Sequence, residues 1–506
     1  MTDQTALLPA YVAAGAAVLA LLADLVVPGR RGAVVGVTAF GAAATAATAI
    51  GVGVSGGPYT AFCTAGAGCS MVTDHAAVAI AALFALLTVG VVALSGPLLR
   101  TGDVPVGEHC FLLACSMTGG VVLGSARDLI TLIVALETLT LPLYLLVGLR
   151  RRPPAGASAP RPVAAGAEAA VTFFVVSVVS TAVSLLGAAL LYAATGALHF
   201  GRLASTLDGS AELRRMPLVG VGVVLLIAGL GFKVAAVPLH AWAPPTYDGA
   251  PLPIAAYLST ASKLGGVAAL VLLTVGGLGP VLAIAGPALA VLAVLTMTVG
   301  NLVALRQRRM VRLLAWSSIA QAGYILAPLG AFALQGGRAA GAVALVVAAT
   351  VAYTIFYVVV EFGAFAAVVG LRGDADGGEL DDYRGVARRS PWLAGVLVLA
   401  LAGLAGLPPG LAGLFAKVAV VRALLGGDAT WLAVVVALNA VIGLAYYVRV
   451  AATLFVAPEG PVAAGGLARH RVSWPVGAAI AVATAAAIAI GFAPQLVMDL
   501  AEAVRP

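Results

Sequence analysis

Long apolar runs separated by short polar interruptions fill the chain from end to end. Within each run the apolar positions are continuous, as in LITLIVALETLTLPLYLLVGL, so the alternation of a membrane barrel strand is missing. A spanning helix needs about 20 mostly apolar residues, and each run reads as one crossing. Gly, Pro and Arg punctuation places spans near 10–28, 33–52, 76–96, 109–126, 129–149, 166–195 and 217–240. Seven more are expected near 252–275, 281–305, 313–333, 340–371, 392–424, 431–455 and 474–498. The expected fold is therefore all-α and polytopic, with about fourteen transmembrane helices in a single membrane domain over 1–506 and no soluble domain. The segment Met1 to Pro9 lacks the basic start of a secretory leader, so the first run reads as a retained helix.

Composition agrees with this pattern. The chain is 62% hydrophobic and 10% charged over 506 residues, with a mean hydropathy of +1.08, far from the usage of soluble domains. A net charge of +7 would point to an anionic partner in a soluble protein. Here the arginines lie in loops, where they set topology, and no nucleic acid is implied. One set of loops carries Arg30, Arg31, Arg100, Arg150, Arg151, Arg152, Arg161, Arg306, Arg308, Arg309, Arg312, Arg372, Arg384, Arg388, Arg389, Arg469 and Arg471. The opposite side carries only Arg127, Arg202, Arg214, Arg215, Arg338, Arg422 and Arg505. The positive-inside rule then puts both termini on the exterior.

The lysines depart from this distribution. Lys233, Lys263 and Lys417 are the only lysines, and all three fall inside apolar runs, whereas the loops use Arg. Arginine holds its proton under nearly any condition, while a buried lysine can release one. Lys263 lies ten residues beyond Pro253, about 15 Å into a core about 30 Å thick. Glu137 lies similarly deep, eight residues from Leu129, and Lys233 is its natural partner. A static ion pair that sets helix register is the alternative for any one such charge. It does not explain lysine without arginine across separate helices.

Two of these lysines lie near helix breakers. Lys233 precedes Pro238, Pro244 and Pro245, and Lys417 follows GLPPG with Pro408 and Pro409. Proline in a spanning helix frees backbone groups that neighbours or water must satisfy, so such breaks line cavities. Two breaks in corresponding halves point to an internal inverted repeat with ion sites at the breaks; a simple kink is the alternative for each. His240 could bridge Lys233 to Lys263 through water, or merely cap a helix end. Glu108 could admit protons or be a solvated flank, and Glu361 is buried without an evident partner. Tyr144, Ser259, Ser262, Ser317, Ser318, Gln321 and Tyr324 could line a hydrated axis or serve as helix glue. Cys63 and Cys69 share one loop, where either a disulfide or two free thiols fits, and the cysteines show no metal or redox spacing.

Three segments carry a resemblance: GLGFKVAAVPLHAWAPPTYDGAPLPIAAYLSTASKLGG, LALAGLAGLPPGLAGLFAKVAVV and DLITLIVALETLTLPLYLLVGLRR. They resemble the antiporter-like subunits of complex I. STASK and DDYRGVARRSP are most similar to the subunit N family of bacterial NADH-quinone oxidoreductase. The resemblance implies fourteen helices with broken helices 7 and 12 and two inverted five-helix repeats. Three helices and a loop would occupy 1–108, the repeats 109–275 and 281–455, and the last helix 474–498. It further implies Glu137 and Lys233 as a regulatory pair, Lys263 as the central relay and Lys417 as the terminal site. Flavin (FMN), iron–sulfur clusters, NADH and quinone would belong to partner subunits, with no cofactor in this chain. The partners implied are the other membrane and peripheral subunits of complex I, in a bacterial plasma membrane. Ala10 and Glu361 depart from the family's usual acid and asparagine. A multisubunit cation/proton antiporter of the Mrp type shares the same relay and is the competing reading; a membrane-bound hydrogenase subunit and a structural scaffold stand behind it.

Overall fold

The computed structural model describes residues 3–64, 66, 68–150, 161–457 and 472–503. Arg151, Arg152, Arg469, Arg471 and Arg505, used above for topology, lie outside the described residues, as does the side chain of Arg161.

Among the described residues, twelve helices are long and apolar enough to cross a membrane. Two apolar helices, Pro217–Lys233 and Pro391–Ala405, are shorter. They occupy the first parts of the expected spans at 217–240 and 392–424, neither of which is continuous. After Lys233 the chain turns through Ala235, whose φ of 58° is left-handed, and resumes as Ala243–Gly249. Pro238 has no N–H to continue the helical ladder. The second break is closed by Gly406 in the left-handed conformation at the helix C-cap, a geometry that glycine adopts without Cβ strain. The chain continues through Pro408 and Pro409 into Leu411–Gly426. A count of fourteen crossings follows only when each short helix is joined to the piece beyond its break.

Most predicted spans match observed helices closely, for example Leu129–Gly148 and Thr430–Thr453. Two differ in a way that composition did not show. The helix Leu252–Gly276 carries a π-helical turn at Leu258–Ser262, immediately before Lys263. The last span ends at Phe492, and a separate helix, Gln495–Ala503, follows it.

The long loop after the second helix, Arg31–Val54, contains an antiparallel hairpin of strands Tyr59–Thr64 and Gly68–Thr73, in which Cys63 faces Cys69. The two cysteines are joined in a disulfide, which resolves the alternative left open by the sequence. The amide of Asp3 donates to the carbonyl of Thr60 (3.0 Å), so the N-terminus lies against the hairpin.

Burial sorts the helices into a centre and a rim. The helices Leu252–Gly276 and Met310–Ala333 are 94% buried over their most apolar stretch, against 22% for Trp474–Phe492. Rim helices present Val, Leu and Trp outward, including Trp474, Val441 and Phe492, as a lipid-facing surface requires. The polar residues of the centre therefore lie inside a fully packed interior, where each must find a partner. The molecule is a multi-pass membrane protein.

Candidate functional site

The first cluster forms where three helices meet. Asp128 caps Leu129–Gly148 through the amides of Ile130 and Thr131 (2.9 and 2.8 Å), fixing the helix that carries Glu137, Thr140 and Tyr144. Pro217–Lys233 ends on Lys233, whose side chain is 4% exposed and reaches the Glu137 Oε1 at 2.7 Å. Its Nζ also reaches the hydroxyls of Thr140 (3.1 Å) and Ser177 (3.3 Å). Thr181 donates to the same Glu137 oxygen (2.6 Å), and Tyr144 donates to Ser177 (2.5 Å). The expected Glu137–Lys233 pair is thus a direct contact inside a shell of hydroxyls. Ser177 and Thr181 were missed by sequence reasoning; their four-residue spacing along one apolar helix was the available signal.

Lys263 has different neighbours. It is fully buried and donates to two backbone carbonyls, Val234 (3.1 Å) and Ser318 (2.7 Å). The Val234 carbonyl lies at the first helix break, immediately after Lys233. The approach requires Gly266: a Cβ there would lie 2.9 Å from the Lys233 backbone carbon and 2.7 Å from a Val234 methyl. Lys417 follows the same rule at the second break. It donates to the carbonyls of Leu404 (3.2 Å) and Ala405, the last residues of Pro391–Ala405. Gly406 leaves room for its stem, since a Cβ there would lie 3.1 Å from the lysine Cδ and Nζ. Both lysines therefore sit at the carbonyl end of a short helix, where the helix dipole favours a positive charge.

Polar contacts gather around both lysines. Ser318 and Gln321 lie one turn apart on Met310–Gly330. Gln321 Nε2 donates to the Leu404 carbonyl (2.9 Å), the same oxygen that accepts from Lys417. Tyr353 donates to Gln321 Oε1 (2.7 Å), and Tyr447 contacts both Gln321 Nε2 (3.0 Å) and Ser317 (2.5 Å). Tyr357 donates to the Ser259 carbonyl (2.7 Å) and meets the Ser318 hydroxyl (2.7 Å). Tyr324 supports Lys417 by its ring face, with Nζ 5.6 Å from the centroid. The candidate lining residues thus fall into two groups: Ser259 and Ser318 meet Tyr357 beside Lys263, and Ser317 and Gln321 meet Tyr447 beside Lys417, with Tyr324 against the Lys417 ammonium. Tyr353, Tyr357 and Tyr447 were missed because their hydroxyl partners stand on other helices, which only the fold brings beside them.

The remaining candidates lie apart. His240 bonds the Pro238 carbonyl (3.2 Å) and packs edge-on against Trp316, and it contacts neither lysine directly. Ser262 is buried beside Lys263, and Glu108 lies in the first turn of Val106–Ser125. Both oxygens of Glu361 lack a hydrogen-bond partner among the described residues. The cysteines do not suit an iron–sulfur cluster: Cys63 and Cys69 are bonded to each other, and Cys110 and Cys115 stand on one helix with no further thiol beside them.

The fold and these sequences have relatives. The family model described as NADH:quinone oxidoreductase/Mrp antiporter, TM, matches residues 126–443. NADH-quinone oxidoreductase subunit N of Salinispora tropica is 61% identical across 99% of this chain and 98% of that protein. A chain of the respiratory complex I structure from Thermus thermophilus superposes with a TM-score of 0.76 at 29% identity, covering 97% of this chain and 98% of that one. A chain of the Mrp complex from Dietzia sp. superposes with a TM-score of 0.78 at 19% identity, covering 100% and 97%, a likeness of fold alone. With well over half of the chain inside the family model and full-length identity this high, the chain belongs to the NADH:quinone oxidoreductase/Mrp antiporter transmembrane family, among the N subunits of bacterial NADH-quinone oxidoreductase.

Proposed function

We propose that this chain carries protons across the membrane through Glu137, Lys233, Lys263 and Lys417, as a subunit of an NADH-quinone oxidoreductase whose redox chemistry takes place in partner subunits. The observation that carries this reading is the bonding of Lys263 and Lys417 to backbone carbonyls at the two helix breaks, with Gln321 sharing the Leu404 oxygen with Lys417. A lysine bonded only to carbonyls keeps its partners whether it is an ammonium with three donors or an amine with two. It can therefore gain and lose a proton without rearranging its site.

The two breaks, each ending a short helix beside a lysine, support reading 109–275 and 281–455 as repeats. Contact between the N-terminus and a disulfide-bonded hairpin supports placing both termini on the exterior, the oxidising side. Flavin, iron–sulfur clusters, NADH and quinone are assigned to the partner subunits. Glu137 supports the partner reading, because its side chain is 29% exposed at mid-membrane depth. Lipid would leave that edge of the carboxylate poorly solvated, whereas a neighbouring membrane subunit can cover it.

Gentle-detergent purification through a tag on this chain tests the assignment. Copurifying NADH oxidation, flavin and iron–sulfur clusters are expected. Recovery with only other multispan subunits and no redox centre would replace this reading with the Mrp-type antiporter.

A further inference from the structure

Glu361 is a buried acid that this relay does not use. It lies in the helix Ala340–Arg372 with no exposed surface, and neither carboxyl oxygen has a hydrogen-bond partner among the described residues. Such a group is costly in a packed interior, and buried polar atoms left unpaired are uncommon. Electrostatically it acts on Lys263 and on the phenols of Tyr247, Tyr357 and Tyr447.

Its level in the bundle follows from one hydrogen bond. Tyr357 meets the Ser259 carbonyl at 2.7 Å, which sets the two antiparallel helices in register. Four residues on from Ser259, toward the side of the termini, stands Lys263. Four residues on from Tyr357, toward the arginine-rich side, stands Glu361. Along the two helices Glu361 and Lys263 thus lie to opposite sides of the Tyr357–Ser259 contact, where the hydroxyls of Tyr357 and Ser318 also meet. Lys263 itself is bonded to the Ser318 carbonyl.

Resting on the relay reading above, we propose that Glu361 is the proton donor that recharges Lys263 from the arginine-rich side. In the step, the O–H bond of the Glu361 carboxylic acid breaks and an N–H bond forms on the neutral Lys263 amine. The products are a carboxylate and an ammonium that attract each other across this contact. When Lys263 passes its proton onward, the carboxylate takes up another from the arginine-rich side. The absence of a fixed partner suits this cycle, since a permanent ion pair would hold the carboxylate ionised.

The test uses the assembled complex in inverted membrane vesicles and reads protons moved per NADH oxidised. Glu361→Gln keeps the shape of the side chain but cannot carry a proton. It is expected to lower that ratio to the value found for Lys263→Ala, and Glu361→Asp is expected to restore it, which a purely structural role would not require. If Lys263→Ala lowers the ratio while Glu361→Gln leaves it at the wild-type value, the inference fails and the relay stands. If neither variant changes it, both fail. Should Glu361→Gln not assemble, Tyr357→Phe decides: removing the intervening hydroxyl is expected to lower the ratio, and an unchanged ratio would overturn the proposal.

Discussion

The carbonyl of Val234, next after Lys233 in the chain, accepts from Lys263, yet the surroundings of the two lysines differ in kind. Lys233 has three oxygen neighbours, one of them a carboxylate, which match the three donors of an ammonium. Lys263 has two carbonyls, which an amine satisfies as well. Lys417 repeats the second arrangement with Leu404 and Ala405. In the proposed relay the first site would hold a charge and the other two would exchange one. The same side chain serves both because its partners, rather than its own chemistry, decide which protonation states fit.

Arginine substitutions should separate the two kinds of site most sharply. Lys263→Arg and Lys417→Arg place a permanently charged guanidinium where a proton must leave. Each is expected to lower protons moved per NADH in inverted vesicles as far as the corresponding alanine variant does. Lys233→Arg keeps a charge beside Glu137 and should retain more of the ratio than either. Equal losses at all three positions would erase the distinction drawn here.

Next in size is the pair itself. Glu137→Ala leaves Lys233 charged and buried with hydroxyl partners only, and breaking a buried pair in this way costs about 3 kcal/mol. The expected readout is a lower melting temperature of the purified complex. Lys233→Ala removes the charge that Glu137 neutralises. In the double variant the two losses should fall short of their sum by more than about 1 kcal/mol, the range for directly contacting charges. Additive losses would show that the contact at 2.7 Å does not couple the two residues.

Much of this contrast was legible in the residue order. Continuous apolar runs predicted most of the helices, and the restriction of lysine to those runs singled out Lys233, Lys263 and Lys417. Glu137 was placed deep by its distance from Leu129, Lys233 was read as its natural partner, and the resemblance implied the same pair. What residue order could not show was the identity of the carbonyls, because backbone acceptors are the same at every position and only the fold brings Val234 to Lys263 or Leu404 to Lys417. The π-turn at Leu258–Ser262 was hidden as well, since nothing in LSTAS distinguishes it from the α-helix on either side. The hairpin after the second helix lay in a Gly-rich segment read only as a loop, although its cysteines were noticed.

The smallest effect lies outside the membrane core, where a third kind of pairing marks the arginine-rich face. Arg309 bonds Asp248 (2.8 Å) and Asp376 (3.1 Å), and Arg372 bonds Asp376 (3.0 Å) and Asp382 (3.3 Å). These contacts tie the segment after the first break to the loop following Ala340–Arg372. Partial burial alone would raise the Asp376 carboxyl, but Arg309 and Arg372 outweigh it and hold the group below the usual carboxylate value. A carboxyl lowered on folding adds stability above its unfolded value, and that stability is lost as the pH falls through the folded one. Asp376 is 43% exposed, so water screens the pairs and the contribution should not exceed about 1 kcal/mol. Asp376→Asn is therefore expected to lower the melting temperature slightly at neutral pH and to match the wild type at pH values below the ordinary carboxylate range. A deficit that persisted there would mean that Asp376 acts through packing. The exposed network would then owe its contribution to shape, unlike the buried pair at Lys233, whose contribution depends on charge.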